Sequence, residues 1–410
     1  MTDETGSNLR RRIGMWDAVV VGARCAGATT ALLLARQGHR ILLIDRARFP
    51  SDTMSTLFIH QPGISRLEHW GLLEAVIGSG CPRIHDATYM LQDVRLHGKV
   101  AELGNVDYAL APRRHILDQI LINAAVDEGV EFAEECTLDE LLSGDDGRIG
   151  GVRFRMPGGA VATEESRLTI GADGMRSRVA RLADAGFTID DPRMTCIYYS
   201  GWTGLEIGFE IRERPGRWLA TIPTNDDVTL ILTYFPQSEF AMVKDDPQAS
   251  HLAAIRASAP DLYDQLATSE QVVRLQGTGD QQNFFRQACG PGWALVGDSG
   301  HHEDSISARG ITNAFIQAEL LSEHVGGRLD SEQQLTAALS RFARQRDAAL
   351  IDVYRSTLET ARLQAPRSRV EMLREISRVP ELTRRYFALA AGIISMDEFL
   401  TPELITLIRR

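Results

Sequence analysis

The chain has 410 residues, 44% of them hydrophobic, and a formal net charge of −11. That is enough apolar material for a large core in two or three structural units, and the acidity, with basic residues scattered through the sequence, excludes nucleic acid and anionic membranes as favoured partners. A small-molecule ligand is the expected partner, and five cysteines (Cys25, Cys81, Cys136, Cys196 and Cys289), far apart and with no C-x-x-C pair, fit reduced thiols in a cytoplasmic protein without a metal site.

The first fourteen residues, MTDETGSNLRRRIG, are polar with no apolar stretch behind them, so they read as a frayed terminus and not as a signal peptide. Residues 17–21 (DAVVV) form a continuous apolar run suited to a strand buried on both faces. It is followed by a turn from Gly22 to Gly27 and an Ala/Leu-rich helix closed by Gly38. A second buried strand, ILLI, ends at Asp45, completing a β-α-β unit. An amphipathic helix is expected over 114–128, then short strands about VEFAEE and GVRFRM, then the run RLTI leading into GADG. From roughly 186 to 279 the β-branched and aromatic segments CIYYSGW, RWLATIP and VTLILTYF predict an antiparallel sheet covering a ligand. WALVGD returns the chain to the first unit, and a helix is expected from about Ile311. From Ser331 the pattern is helical, opened by a capping box to Gln334, with Leu335, Leu339 and Phe342 on one face. No segment reaches the ~18 apolar residues of a membrane span.

Three constellations carry chemistry. At the first turn, free N–H groups at a helix start and the helix dipole suit a diphosphate. Asp45, 23 residues past Gly22 at a strand end, suits the hydroxyls of a ribose. The second is GADGMRSRVA from Gly171. The third is Gly297-Asp298 followed by S-G-H-H-E-D-S-I-S-A-R-G-I, a carboxylate at a strand end beside a helix start. That pair would hold a sugar-alcohol chain and an electron-rich ring in one crevice.

In this order, with R-H-I-L-D-Q-I-L from Arg114 between the first two, the motifs resemble those of the class A flavoprotein monooxygenases. This para-hydroxybenzoate hydroxylase-like superfamily also includes flavin-dependent halogenases and geranylgeranyl reductases, and the resemblance runs from residue 16 to about 330. It implies an α/β fold: a Rossmann-like FAD-binding domain (15–75, 105–185 and 280–330) interleaved with an antiparallel β-sheet substrate domain (76–104 and 186–279), then a C-terminal helical region (331–410). Carried over by position, Gly22, Ala23 and Gly27 line the pyrophosphate with Ala28 also at the cofactor, Asp45 with Arg46 beside it holds the adenosine ribose, and Arg114 reaches the FAD. The backbone of Leu138 meets the adenine, and Asp173 with Gly174 is associated with FAD and with NADH or NADPH as transient donor. Asp298 binds the ribityl chain, and Gly310 and Ile311 face the pyrimidine end of the flavin.

One departure is Arg24, which stands where the middle glycine of the first turn is usual. Its side chain either runs outward along the phosphates or flavin edge, adding positive charge, or is solvated in a slightly wider turn. A second concerns the chemistry. Halogenases resemble one another by W-x-W-x-I-P beside the flavin and by a lysine, whereas here the segment is Trp218-Leu-Ala220-Thr-Ile222-Pro223. The chain's two lysines, Lys99 in a strand-like stretch and Lys244 in a polar loop, lack that setting. Reductases of the geranylgeranyl type resemble Y-x-W-x-F-P, which Ala220 also breaks. The space left by Ala220 suits a substrate lying against the flavin.

Trp202, Trp218, Tyr198, Tyr199 and Phe235, with Ala220 and Pro223 beside them, are therefore the expected pocket residues. His301 and His302 are candidates for acid–base work, together with Ser305 where hydroxylases usually carry proline. The resemblance implies an NAD(P)H-dependent monooxygenase using molecular oxygen to hydroxylate or epoxidise an aromatic or polycyclic, natural-product-like substrate. The alternatives are an ene-reductase, a halogenase-like enzyme and a non-redox cyclase using FAD as scaffold.

Overall fold

The computed structural model describes residues 14–402 and 404, so apart from Gly14 the polar start lies outside the described residues. The strand Trp16–Val21 is the centre of an eight-stranded sheet. It pairs in parallel with Ile41–Ile44 on one side and Val161–Gly171 on the other, and these in turn pair in parallel with Glu131–Ala133 and Trp293–Leu295. Alternate residues explain why the run is apolar throughout. Ala18 and Val20 pack under the helices Cys25–Ala35 and Gly310–Val325, while Val19 and Val21 enter a separate core with Leu138, Val152 and Phe154 from the hairpin Thr137–Ser143 and Ile149–Arg155. Helix Arg114–Asp127 packs on Cys25–Ala35.

A seven-stranded sheet has the order Glu270–Thr278, Thr195–Thr203, Thr229–Pro236, Arg217–Pro223, Phe209–Arg214, Asp86–Leu91, Val94–Lys99. Its pairs are antiparallel except that Phe209–Arg214 runs parallel to Asp86–Leu91, a departure from the all-antiparallel expectation. Three helices also interrupt the stretch read as strands: Phe240–Asp245, Pro247–Ser258 and Pro260–Gln265. The second starts at an Asp246 side chain that accepts from the Ala249 amide at 3.0 Å, with Pro247 in the first turn, so its start signal was present in the sequence. Lys244 lies in the first of these helices, not in a loop.

Strand register sorts the aromatic residues onto two faces. Ile197 and Tyr199, with Leu232, Tyr234, Trp218 and Ala220, share one core with Val370, Leu373 and Phe387 of the C-terminal helices Arg367–Ile376 and Pro380–Ala391. Trp202, Leu219 and Ile231 face the other way, against Ile255 and Leu262 of the interrupting helices, and Phe235 packs there with Cys196 and Tyr198. The long helix Glu332–Ala361 starts at Ser331, whose Oγ accepts from the Gln334 amide at 3.4 Å. Its Leu335, Leu339 and Phe342 are buried in the core of the first sheet.

Candidate functional site

A cavity of about 940 Å³ runs between the two sheets, from Asp45 and Leu138 at one end to the 297–311 loop at the other. That volume lies at the upper end for ligand pockets.

At the Asp45 end the turn after the first strand is held by close approach. Gly22 has φ +106°, and a Cβ there would sit 2.3 Å from the Ala172 carbonyl oxygen. One on Gly27 would sit 1.7 Å from the Gly22 oxygen. Helix Cys25–Ala35 starts at Arg24 with no side-chain cap, so its first N–H groups are open to an anion. Asp45 accepts from the amides of Ala23 and Ala47, both at 2.7 Å. Of the residues expected at this turn, Ala23, Gly27 and Ala28 are absent from the cavity lining. Ala23 and Ala28 are fully buried behind the turn, and the wall consists of Gly22, Arg24, Cys25 and Ala26.

Arg24 follows neither sequence expectation. Its φ of −84° is ordinary extended backbone, so the position needs no glycine. The guanidinium turns onto the buried Asp118 at 2.7 Å and onto Ser51 at 3.2 Å (carbonyl) and 3.0 Å (Oγ). It also lies 5.3 Å from the centre of the Phe49 ring. Arg114 binds the same carboxylate at 3.0–3.2 Å, and the Cys25 thiol donates to it at 3.2 Å. Burial pushes that thiol far above its usual range, so Cys25 stays protonated. Asp118, four residues into R-H-I-L-D, is the organiser of this end and was not singled out from sequence.

Cys136, Thr137 and Leu138 line the wall next to Asp45 and Arg46. Asp173 lines it too, but its carboxylate is committed to its own turn. It accepts from the amides of Arg178 at 2.6 Å and Val179 at 3.1 Å and from the Ser177 hydroxyl, and burial raises its carboxyl. Gly174 follows with φ +80°.

At the other end Asp298 lines the cavity with no hydrogen bond to a described residue. Gly310 opens helix Gly310–Val325, which also lacks a side-chain cap. A Cβ on Gly310 would meet nothing, so the helix start is open, with Ile311 beside it in the wall.

His301 is buried against Phe285 (4.4 Å between ring centres), with its Nε2 unpartnered. Burial, with the Arg346 guanidinium nearby, holds it neutral. Arg346, from the long C-terminal helix, supports this loop by donating to the Gly300 carbonyl at 3.3 Å. His302 contacts the Gln282 carbonyl through Nδ1 and stacks on Phe284. Ser305 shares its hydroxyl with Tyr234 at 3.0 Å and with Gln281. Two carboxylates missed in the sequence complete the loop. Asp304 accepts from the Thr195 hydroxyl at 2.7 Å and is pushed up by burial to about 6, and Glu303 is pushed up by burial to about 7.

Of the expected pocket aromatics the structure brings Tyr199 to the cavity and leaves the others away from it. Trp202 and Phe235 point to the far side of the sheet, and Trp218 and Ala220 share the near face but lie in the core beneath the C-terminal helices. Pro223 closes its strand outside the wall. Tyr199, on the near face, lines the cavity together with Ile197, which was not singled out from the sequence. Burial pushes the Tyr199 hydroxyl up to about 12, so it stays a donor, and it reaches Gln276 at 3.3 Å.

These features fit FAD: a tight glycine turn, two helix starts without side-chain caps, and a cavity-facing Asp298 with no hydrogen bond to a described residue. The chain matches the family described as FAD binding domain over residues 15–347 and belongs to it; it is a flavoprotein oxidoreductase of the class A monooxygenase superfamily. Among curated proteins it is 27% identical over 393 residues to 6-methylpretetramide 4-monooxygenase of Streptomyces rimosus, covering 89% of each chain. It is 26% identical over 345 residues to tryptophan 2-halogenase of Chondromyces crocatus, covering 80% of this chain and 64% of the halogenase. It is 24% identical to digeranylgeranylglycerophospholipid reductase of Methanocella arvoryzae, covering 80% and 81%. Among solved structures, a flavin-dependent brominase superposes with TM-score 0.80 at 16% identity over 97% of this chain and 98% of its own, which shows a shared fold. No helix among the described residues is long and apolar enough to cross a membrane.

Proposed function

We propose that the protein is a monooxygenase that inserts oxygen into an apolar, aromatic or polycyclic substrate, with NADH or NADPH as donor. The observation that carries this reading is the make-up of the cavity wall, which contains no lysine among the described residues. Lys99 is exposed at a strand end, 3.1 Å from Asp86, and Lys244 is exposed on a surface helix. The lysine that the family resemblance attaches to halogenation therefore has no counterpart at this site. The relative covered to 89% in both directions, named a monooxygenase, supports the same reading.

FAD, when bound, supplies two-electron transfer from the nicotinamide donor and delivery of oxygen. The chain's own groups hold and orient. The N–H groups opening Cys25–Ala35 and Gly310–Val325 stabilise negative charge at two points of the cavity, and Asp298 accepts from hydroxyls of the ribityl chain. Ile197 and Tyr199 offer a flat, water-excluding wall opposite the loop. Arg46, Arg176, Arg178 and Arg181 border the cavity and supply positive charge for an anionic donor.

The test is anaerobic mixing with NAD(P)H followed by isotopically labelled oxygen. Bleaching should be faster with substrate present, and the label should appear in the product. Product of unchanged mass formed without nicotinamide would replace this reading with a scaffold cyclase, and anaerobic gain of two hydrogens with a reductase. Halogenation is the second reading, favoured by the halogenase and brominase similarities. Incorporation of bromide or chloride would establish it.

A further inference from the structure

Behind the open start of helix Gly310–Val325 lies a pocket of buried polar atoms that the proposed reaction does not use. Glu303 is 7% exposed; its Oε1 accepts from Asn313 Nδ2 at 3.0 Å and from the Ser307 hydroxyl at 3.4 Å, while its Oε2 has no partner. Asn313 Oδ1, Arg309 Nε and both side-chain polar atoms of Gln317 are likewise buried and unpartnered. Leaving one such atom unpaired costs ~1–3 kcal/mol, so a group of them in one place calls for a reason. Glu303 and Asn313 also line the FAD cavity, which ties this pocket to the cofactor.

We propose that Glu303 is a redox-linked proton acceptor, its free Oε2 taking up a proton when the cofactor across the cavity wall gains negative charge. The charged and titratable groups facing it are Arg309 on its own loop, His302 on the preceding strand and Tyr354 on helix Glu332–Ala361; Thr357 on that helix faces the carboxyl outside hydrogen-bonding geometry. Arg309 is the one facing guanidinium. It is buried, and its Nη1 donates to the Ala390 carbonyl at 3.0 Å, so it is anchored to the C-terminal helices and is not ion-paired with Glu303. The carboxyl is thus under-compensated, and burial already pushes it up to about 7, so a modest added negative charge carries it across neutral pH. Two electrons and one proton go to the isoalloxazine ring and one further proton goes to Glu303 Oε2, which keeps the loop from holding two neighbouring negative charges.

This inference rests on FAD binding and not on the monooxygenase reading, and its test therefore uses dithionite as reductant, with no substrate and no oxygen. Potentiometric titration of the FAD-loaded protein between about pH 7.5 and 8.5 should show two protons taken up per two electrons in the parent and one in Glu303→Gln. Glu303→Asp should restore the second. The same proton count in the parent and in Glu303→Gln overturns the proposal. If Glu303→Gln does not retain FAD, reduced-minus-oxidised infrared spectra of the parent decide: a protonated-carboxyl band must appear on reduction, and its absence overturns the proposal. Failure to find labelled oxygen in a product would overturn the monooxygenase reading and leave this result unchanged.

Discussion

The two ends of the cavity use buried charge in opposite ways. At the nucleotide end Asp118, fully buried, is paired with Arg24 and Arg114 and accepts from Cys25, so the carboxylate is saturated and two guanidiniums are held in place. At the flavin end Glu303 keeps one oxygen unpartnered, His301 is buried and neutral, and Asn313 and Gln317 hold unpaired atoms. A saturated cluster is a rigid frame, because any change leaves a charge uncompensated. An unsaturated one can change protonation at small cost. Substrate-independent geometry belongs with the first and charge-dependent chemistry with the second.

The largest expected effect lies in the frame. Asp118→Ala leaves the half-buried Arg24 and Arg114 without their shared counter-charge and should be strongly destabilising, with loss of FAD on purification. Chemical denaturation and the flavin absorbance of the purified protein measure both; unchanged stability would show that this end is not a frame at all.

The next effect tests the unsaturated end through pH. Folding raises the Glu303 carboxyl from 4.5 to about 7, so the unfolded chain ionises first and stability is lost as pH rises through that window. Below it, Glu303 is protonated in both states and contributes nothing. Glu303→Gln removes the loss, so its stability relative to the parent should improve by about 3 kcal/mol between pH 4.5 and pH 8. Denaturation curves at the two pH values give the sign directly, and an improvement on acidification instead would contradict the assignment.

Asp298→Ala should weaken FAD binding by ~1–3 kcal/mol, because it removes an acceptor without disturbing any protein hydrogen bond. Fluorescence titration of the FAD-free protein checks this, and the melting temperature of that FAD-free form should not move. Asp118→Ala, by contrast, should lower both, which separates ligand contact from frame.

The smallest effect is expected outside both ends. Phe235→Leu, on the far face of the seven-stranded sheet, shortens a buried ring and should leave FAD affinity as it was. A change in flavin affinity would mean that the far face communicates with the cavity.

The sequence by itself determined the β-α-β unit and the cofactor. An all-apolar run, a glycine turn and a strand-end carboxylate are local signals, and Gly22, Asp45 and Asp298 all reach the cavity wall as read. The start of helix Gly310–Val325 was legible within one residue for the same reason. Two matters were decided by tertiary structure. One is which face of a strand meets the ligand: alternation in CIYYSGW shows that Tyr198 and Tyr199 point apart, but that Tyr199 faces the cavity depends on which helices cover each side, and these come from 247–265 and 367–391. The other is the fate of Arg24. Its partner Asp118 lies 94 residues away, and a contact of that separation is set when helix Arg114–Asp127 docks on Cys25–Ala35, which neither helix encodes alone. Glu303 was overlooked for the same reason, since a charged residue in a polar loop reads as solvated until the packing of helix Glu332–Ala361 removes the water from it.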